Sequence, residues 1–170
     1  MMGSGKSSIG KHLAASKKLS FIDMDRAIER DEGRTIISLF NSEGESHFRQ
    51  LETTFLNELL ESNTVTNSII STGGGVVEKK ENCNLLSQLG IIVYLRTTPK
   101  TLYLRLNEDT SRPLLSHQTS SNESMKTTIT NILIRRDKKY EDVSNFVLDT
   151  DKKTIIQISA EIEQILTTTV

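Results

Sequence analysis

A three-layer α/β fold, with a parallel sheet covered by helices on both faces, is predicted by three features of this chain. Short apolar runs alternate with stretches of helical periodicity along the sequence. A Gly/Ser-rich segment, Gly3-Ser4-Gly5-Lys6-Ser7-Ser8, stands directly before the first helical stretch. The chemically loaded residues, Asp23 and Asp25 and then Gly73-Gly74-Gly75, follow apolar runs, and ligands of open parallel sheets bind at the carboxyl ends of strands.

Each element has its own signal. Lys6 to about Lys17 reads as a helix because Ile9, Leu13 and Ala14 recur at helical spacing. Leu19 to Asp23 reads as a strand, and Asp25 to about Glu32 as a helix stopped at Gly33. Thr35 to Asn41 is a short helix. Glu45 to about Leu60 is a longer one, with Phe48, Leu51, Phe55, Leu56, Leu59 and Leu60 on one side. Ser68 to Thr72 is a buried strand ending at Gly73, and Glu81 to Leu89 a helix closed by Gly90. Ile91 to Leu95 is the clearest strand, and Pro99 suits the first turn of a helix running to about Leu106. From Asn107 to Asn122 the chain is polar, rich in Ser and Thr, and carries Arg112-Pro113. That is too long for a plain connector, so a mobile functional segment is expected there. Met125 to Tyr140 is a helix, Asn145 to Asp149 a strand and Thr154 to Leu166 a helix. No internal repeat or linker divides the chain, so residues 1–170 are expected to form a single domain.

Composition excludes several classes of function. Hydrophobic residues make up 35% and aromatics 5%, with no Trp, so the core is built mainly from Leu, Ile and Val. Lys plus Arg number 21 against 22 Asp plus Glu, a net charge of -1, which argues against a general nucleic-acid or membrane-surface binder. The single Cys83 excludes an intramolecular disulfide and a multi-cysteine metal site, and fits a reducing cytoplasm. No apolar stretch approaches the roughly 20 residues of a membrane span. The polar run Gly3 to Lys11 is not a signal peptide.

Gly5-Lys6-Ser7 fills the last three positions of the phosphate-binding pattern G-x-x-x-x-G-K-[ST], whose first Gly would fall one residue before Met1. In such a loop glycines aim backbone N–H groups at phosphate oxygens, and the helix that follows adds the positive end of its dipole. Lys6 would reach the β- and γ-phosphates and Ser7 would place its hydroxyl on Mg²⁺. Asp23-Met24-Asp25 puts two carboxylates at a strand end. One could hold Mg²⁺ through water and the other accept a substrate hydroxyl proton, although helix N-capping explains an Asp there equally well. Three consecutive glycines are entropically unfavourable, and they suit either close approach of a ligand or a permissive turn. Arg49, with Glu52 one turn later, Arg112, and Arg136 four residues before Tyr140 could clamp an anionic substrate. The plainer alternative is solvated surface charge with one ordinary helix pair. His12, His47 and His117 lack partners at ligand spacing, so no metal or catalytic role is assigned to them.

Taken in order, these features resemble shikimate kinase over nearly the whole chain, from Gly3 to about Leu166. The likeness rests on the Gly-Ser-Gly-Lys-Ser loop, Phe21-Ile22-Asp23-Met24-Asp25, Gly44-Glu45 with Phe48-Arg49 and Glu52, and Ser71-Thr72-Gly73-Gly74-Gly75-Val76-Val77. Arg112-Pro113-Leu114-Leu115, and Arg136 with Tyr140, complete it. The resemblance implies a P-loop kinase of the nucleoside-monophosphate-kinase type, with a lid at about residues 107–122. It implies transfer of the ATP γ-phosphate to the 3-hydroxyl of shikimate, on the route to chorismate and the aromatic amino acids. By position, Gly3, Ser4, Gly5, Lys6, Ser7 and Ser8 match the nucleotide loop, and Ser7 and Asp23 the Mg²⁺ residues. Asp25 matches the shikimate-binding carboxylate and candidate base, and Arg49 and Arg136 the pair that grips the substrate carboxylate. Gly73, Gly74 and Gly75 match the substrate-facing backbone, Arg112 the lid arginine at the transferring phosphate, and Arg105 a residue that packs on adenine. The expected partners are shikimate and ATP with Mg²⁺, in a cytoplasmic monomer, with neither nucleic acid nor membrane. Family members begin with an apolar strand and a Gly ahead of the equivalent of Met1-Met2. The first, central strand is therefore expected to be absent from this chain, exposing the edges of its two neighbours. The alternative is a non-catalytic nucleotide-binding protein of the same fold.

Overall fold

The structure, a computed structural model, describes residues 1–62, 65–108 and 122–169. The first helix, α1 (Lys6–Lys17), begins at Gly5, which takes the left-handed φ of 92°. It ends at Lys18, also left-handed, whose N–H donates to the Ala14 and Ala15 carbonyls. Ile9, Leu13 and Ala14 are its buried stripe, as their spacing predicts. Gly10 lies where α1 meets β1 (Ser20–Asp23): a Cβ there would sit 2.7 Å from the Phe21 ring.

Next come α2 (Met24–Glu32), capped by Asp23, and α3 (Ile36–Glu61), capped by Thr35. The two helices predicted over Thr35–Asn41 and Glu45–Leu60 are both present within α3, separated by a kink at Gly44, whose φ of 84° and ψ of 172° are not helical. After β2 (Ser68–Ser71) and the glycine turn comes a short 3₁₀ turn, Val76–Glu78, which the sequence pattern does not announce. The remaining elements are α4 (Lys80–Leu89), β3 (Val93–Arg96), α5 (Pro99–Glu108), α6 (Asn122–Val143), β4 (Phe146–Asp149) and α7 (Ile155–Thr169). The third strand falls slightly later than the Ile91–Leu95 run predicts.

The strands are parallel and form two pairs rather than one continuous sheet, in line with the expected exposure of two neighbouring strand edges. β1 runs beside β2 with Asp23 opposite Ser71, and β3 beside β4 with Arg96 opposite Asp149. Between them lies an apolar cavity of about 420 Å³, bordered by Ile69 and Ile70 of β2 and by Val93 and Tyr94 of β3. Among the described residues, β2 pairs only with β1 and β3 only with β4, so each presents an edge to this cavity. One core cluster joins Met24, Leu39, Phe48, Leu56, Val76, Leu102 and Ile129. The other, Ile9, Leu13, Leu95, Leu148, Ile158 and Ile162, holds α1 and α7 against β3 and β4. The β1–β2 register sets the carboxyl ends of both strands level, so Asp23 and Ser71 arrive together beside the start of α1. Of the proposed lid at about 107–122, residues 109–121, including Arg112, Pro113, Leu114, Leu115 and His117, lie outside the described residues, while 107–108 end α5 and 122 begins α6.

Candidate active site

The phosphate loop is built by its glycines. Gly3 (φ 74°) and Gly5 (φ 92°) both occupy the left-handed region, where a Cβ is disfavoured, and they turn the chain sharply into α1. Ser4 is fully buried and its hydroxyl donates to the Met1 carbonyl at 2.9 Å. Lys6 Nζ donates to the same carbonyl at 2.7 Å, so the ammonium is folded back over the loop. Ser7 Oγ donates to Asp23 Oδ2 at 2.8 Å and lies 3.3 Å from Ser71 Oγ. Ser8 is exposed in the first turn of α1. Arg105 reaches in from α5, its guanidinium donating to the Gly3 and Thr150 carbonyls at 3.5 Å.

Asp23 uses both of its carboxylate oxygens. Oδ1 accepts from the Arg26 N–H at 3.3 Å and caps α2, while Oδ2 faces Ser7. A serine hydroxyl and a carboxylate held together at a strand end form an all-oxygen donor set of the kind a hard divalent cation takes. The residues therefore fit Mg²⁺.

The second half of the site gathers on the glycine turn after β2. None of these three glycines has a positive φ; they are required by close approach. A Cβ at Gly73 would lie 2.6 Å from Asp25 Oδ1 and 2.8 Å from Glu52 Oε1. A Cβ at Gly74 would lie 3.0 Å from the Met2 nitrogen, and one at Gly75 would overlap the Arg49 guanidinium. Asp25, on α2, and Arg49, on α3, are thereby brought to one short stretch of backbone. Arg136 joins them from α6, its Nη1 donating to the Gly74 carbonyl at 3.3 Å. The Tyr140 hydroxyl donates to that same carbonyl.

Buried charge surrounds this turn. Arg49 Nη1 donates to Glu52 Oε2 and its Nη2 to Glu45 Oε1, both at 2.8 Å, and the guanidinium lies 5.5 Å from the Phe48 ring centre. Glu52 is fully buried. Burial pushes its carboxyl up, Arg49 pulls it down and Asp25 adds to the rise, with a net upward shift. Its Oε1 has no hydrogen-bond partner among the described residues and faces Gly73. Glu78 accepts from Arg136 Nε and Lys139 Nζ at 2.6 Å and from Arg135 Nη2 at 2.7 Å. Its partial burial works upward, but these cations win and hold the carboxyl at about 2.

The structure thus brings together Gly3, Ser4, Gly5, Lys6, Ser7, Asp23 and Arg105 on the phosphate side, and Asp25, Arg49, Gly73, Gly74, Gly75 and Arg136 on the other. Arg112 cannot be placed with either, because it lies outside the described residues. Sequence reasoning missed Ser71 beside the cation residues, and Glu78. Glu78 meets partners 57 to 61 positions away, and no local spacing signals such a contact. His12 and His47 hold structural partners, Ser159 and Glu43.

Comparison with known proteins gives concordant findings. The family model described as shikimate kinase matches residues 2–167. A shikimate kinase of Buchnera aphidicola is 37% identical over 165 residues, covering 97% of this chain and 91% of that protein. One of Actinobacillus succinogenes is 40% identical over 153 residues, covering 90% and 83%. Among solved structures, the shikimate kinase of Acinetobacter baumannii in complex with shikimate superposes with a TM-score of 0.88 at 34% identity, covering 99% of this chain and 89% of that one.

Proposed function

The chain belongs to the shikimate kinase family, and we propose that it transfers the γ-phosphoryl group of ATP to the 3-hydroxyl of shikimate, giving shikimate 3-phosphate and ADP. The observation that carries this reading is the convergence of one carboxylate, Asp25, and two arginines, Arg49 and Arg136, on a glycine turn beside a phosphate loop. A polyhydroxylated carboxylate needs that combination: guanidinium forks for its charge and a carboxylate acceptor for its hydroxyls.

The chemistry follows from the placement. The substrate hydroxyl oxygen bonds to the γ-phosphorus as the bond to the β–γ bridging oxygen breaks. Asp25 takes the hydroxyl proton, and ADP carries away the bridging oxygen. Catalysis of such a loose transfer is mainly positioning and charge stabilisation. The N–H groups of Gly3 to Ser8 and the Lys6 ammonium hold the phosphates, Lys6 swinging from the Met1 carbonyl to do so. Ser7 and Asp23 would hold Mg²⁺, which when bound neutralises charge on the β- and γ-oxygens. Arg105 would pack on adenine. Arg112 would meet the transferring phosphoryl group as the lid at about 107–122 closes and excludes water.

The same reading takes residues 1–170 as one domain working as a cytoplasmic monomer. Among the described residues no helix is long and apolar enough to cross a membrane. Coupled measurement of ADP release with Mg²⁺ tests the function: release is expected to depend on shikimate. Equal rates with gluconate or a nucleoside monophosphate as acceptor would overturn it.

A further inference from the structure

We propose that Glu78 is a positioning residue for recognition of the substrate carboxylate: it holds Arg136 in the orientation that this carboxylate meets, and offsets the two further cations beside it. The inference rests on the function proposed above and concerns the same site.

The 3₁₀ turn carries Glu78 from the glycine turn straight to α6. There one carboxylate takes three cations: Oε1 accepts from Arg136 Nε at 2.6 Å and Arg135 Nη2 at 2.7 Å, and Oε2 accepts from Lys139 Nζ at 2.6 Å. The contact is not a surface pair, since the side chains of Glu78 and Arg136 are 16% and 8% exposed. A buried guanidinium can be fixed only through its own donors. Glu78 uses Nε, and the Gly74 carbonyl takes one Nη1 hydrogen, which sets the plane of the fork and turns its Nη end toward the glycine turn. Without Glu78, Arg136 would lose its charged anchor. The two neighbouring cations, Arg135 and Lys139, would also lose the carboxylate that offsets them beside Arg136.

Glu78→Gln keeps the shape and removes the charge. With the folded state verified by circular dichroism, the Michaelis constant for shikimate is expected to rise about tenfold, with kcat changed less than about threefold and the constant for ATP less than about twofold. The decisive readout is a ratio: kcat/KM for shikimate over that for its analogue with the carboxylate reduced to a neutral alcohol. Loss of carboxylate positioning lowers this ratio about tenfold, whereas a purely structural defect lowers both rates together and leaves it unmoved. Glu78→Asp, which keeps the charge on a shorter arm, gives the same ratio a second reading should the Gln variant not fold. An unchanged ratio in a folded variant, with shikimate-dependent activity in the parent, would overturn the role of Glu78 alone. A parent that releases no ADP with shikimate would overturn the proposed function, and this inference with it.

Discussion

At Gly75 the space for a Cβ is already taken by the Arg49 guanidinium, so Gly75→Ala must push Arg49 aside. With Arg49 in its proposed role as a substrate clamp, displacing it by about an ångström is expected to lower kcat/KM on the order of 10- to 100-fold, which steady-state kinetics with varied shikimate would register. On the role proposed for Arg136, Arg136→Ala removes charged hydrogen bonds to the substrate carboxylate worth about 3 kcal/mol. It should lower kcat/KM for shikimate on the order of 100-fold while leaving the Michaelis constant for ATP nearly unchanged. Glu78 also ties stability to pH. Its folded pKa of about 2 lies below the ordinary 4.5, so its contribution is present above pH 4.5 and fades as the pH falls toward 2. Urea midpoints measured across that interval should fall less steeply with acid in Glu78→Gln than in the parent. At this scale the glycines were visible in the sequence, but not their reason. Three in a row suit a permissive turn or the close approach of a ligand, and the structure adds a reason the sequence did not offer: the Asp25, Glu52 and Arg49 side chains lie against Gly73 and Gly75.

Among the elements, α1 shows how local pattern and packing combine. The periodicity of Ile9, Leu13 and Ala14 announces the helix, whereas the need for Gly10 comes from Phe21 on the neighbouring strand. Gly10→Ala raises helix propensity, yet it places a methyl 2.7 Å from that ring. Overpacking of about 1–3 kcal/mol is expected to outweigh the gain, visible as a lower urea midpoint. Helix ends were legible where cap chemistry is local: Gly33 stops α2, and Thr35 Oγ1 accepts from Ser38 N–H to start α3. The division of α3 at Gly44 was legible too, since the helical pattern stops before this glycine and resumes at Glu45. The 3₁₀ turn Val76–Glu78 carries no pattern of its own. It is held by packing of Val76 and Val77 and by the grip of α6 on Glu78.

For the whole molecule, the two halves of the proposed site belong to different parts of the chain. The Gly3–Gly5 loop leads into α1, while the residues proposed to hold the acceptor come from α2, α3, the glycine turn and α6. A ligand that binds the folded state alone stabilises it by about 2.7 kcal/mol at a hundred times its dissociation constant. For a chain of this size that is an upward shift in Tm of about 5–10 °C with Mg²⁺-ATP or with shikimate, readable by calorimetry; no shift with either would contradict the assignment of the site. The sequence alone determined the alternation of elements, the parallel strands, the family, and the residue types at each strand end, because periodicity, caps and the phosphate loop are local properties of the chain. The tertiary structure alone decided that an apolar cavity lies between the two strand pairs, and that Ser71 joins Ser7 and Asp23. It alone showed that the glycines make room for Asp25 and Arg49, and that Glu78 anchors Arg136. Those outcomes depend on which distant surfaces meet, and no spacing along the chain carries the distance between them.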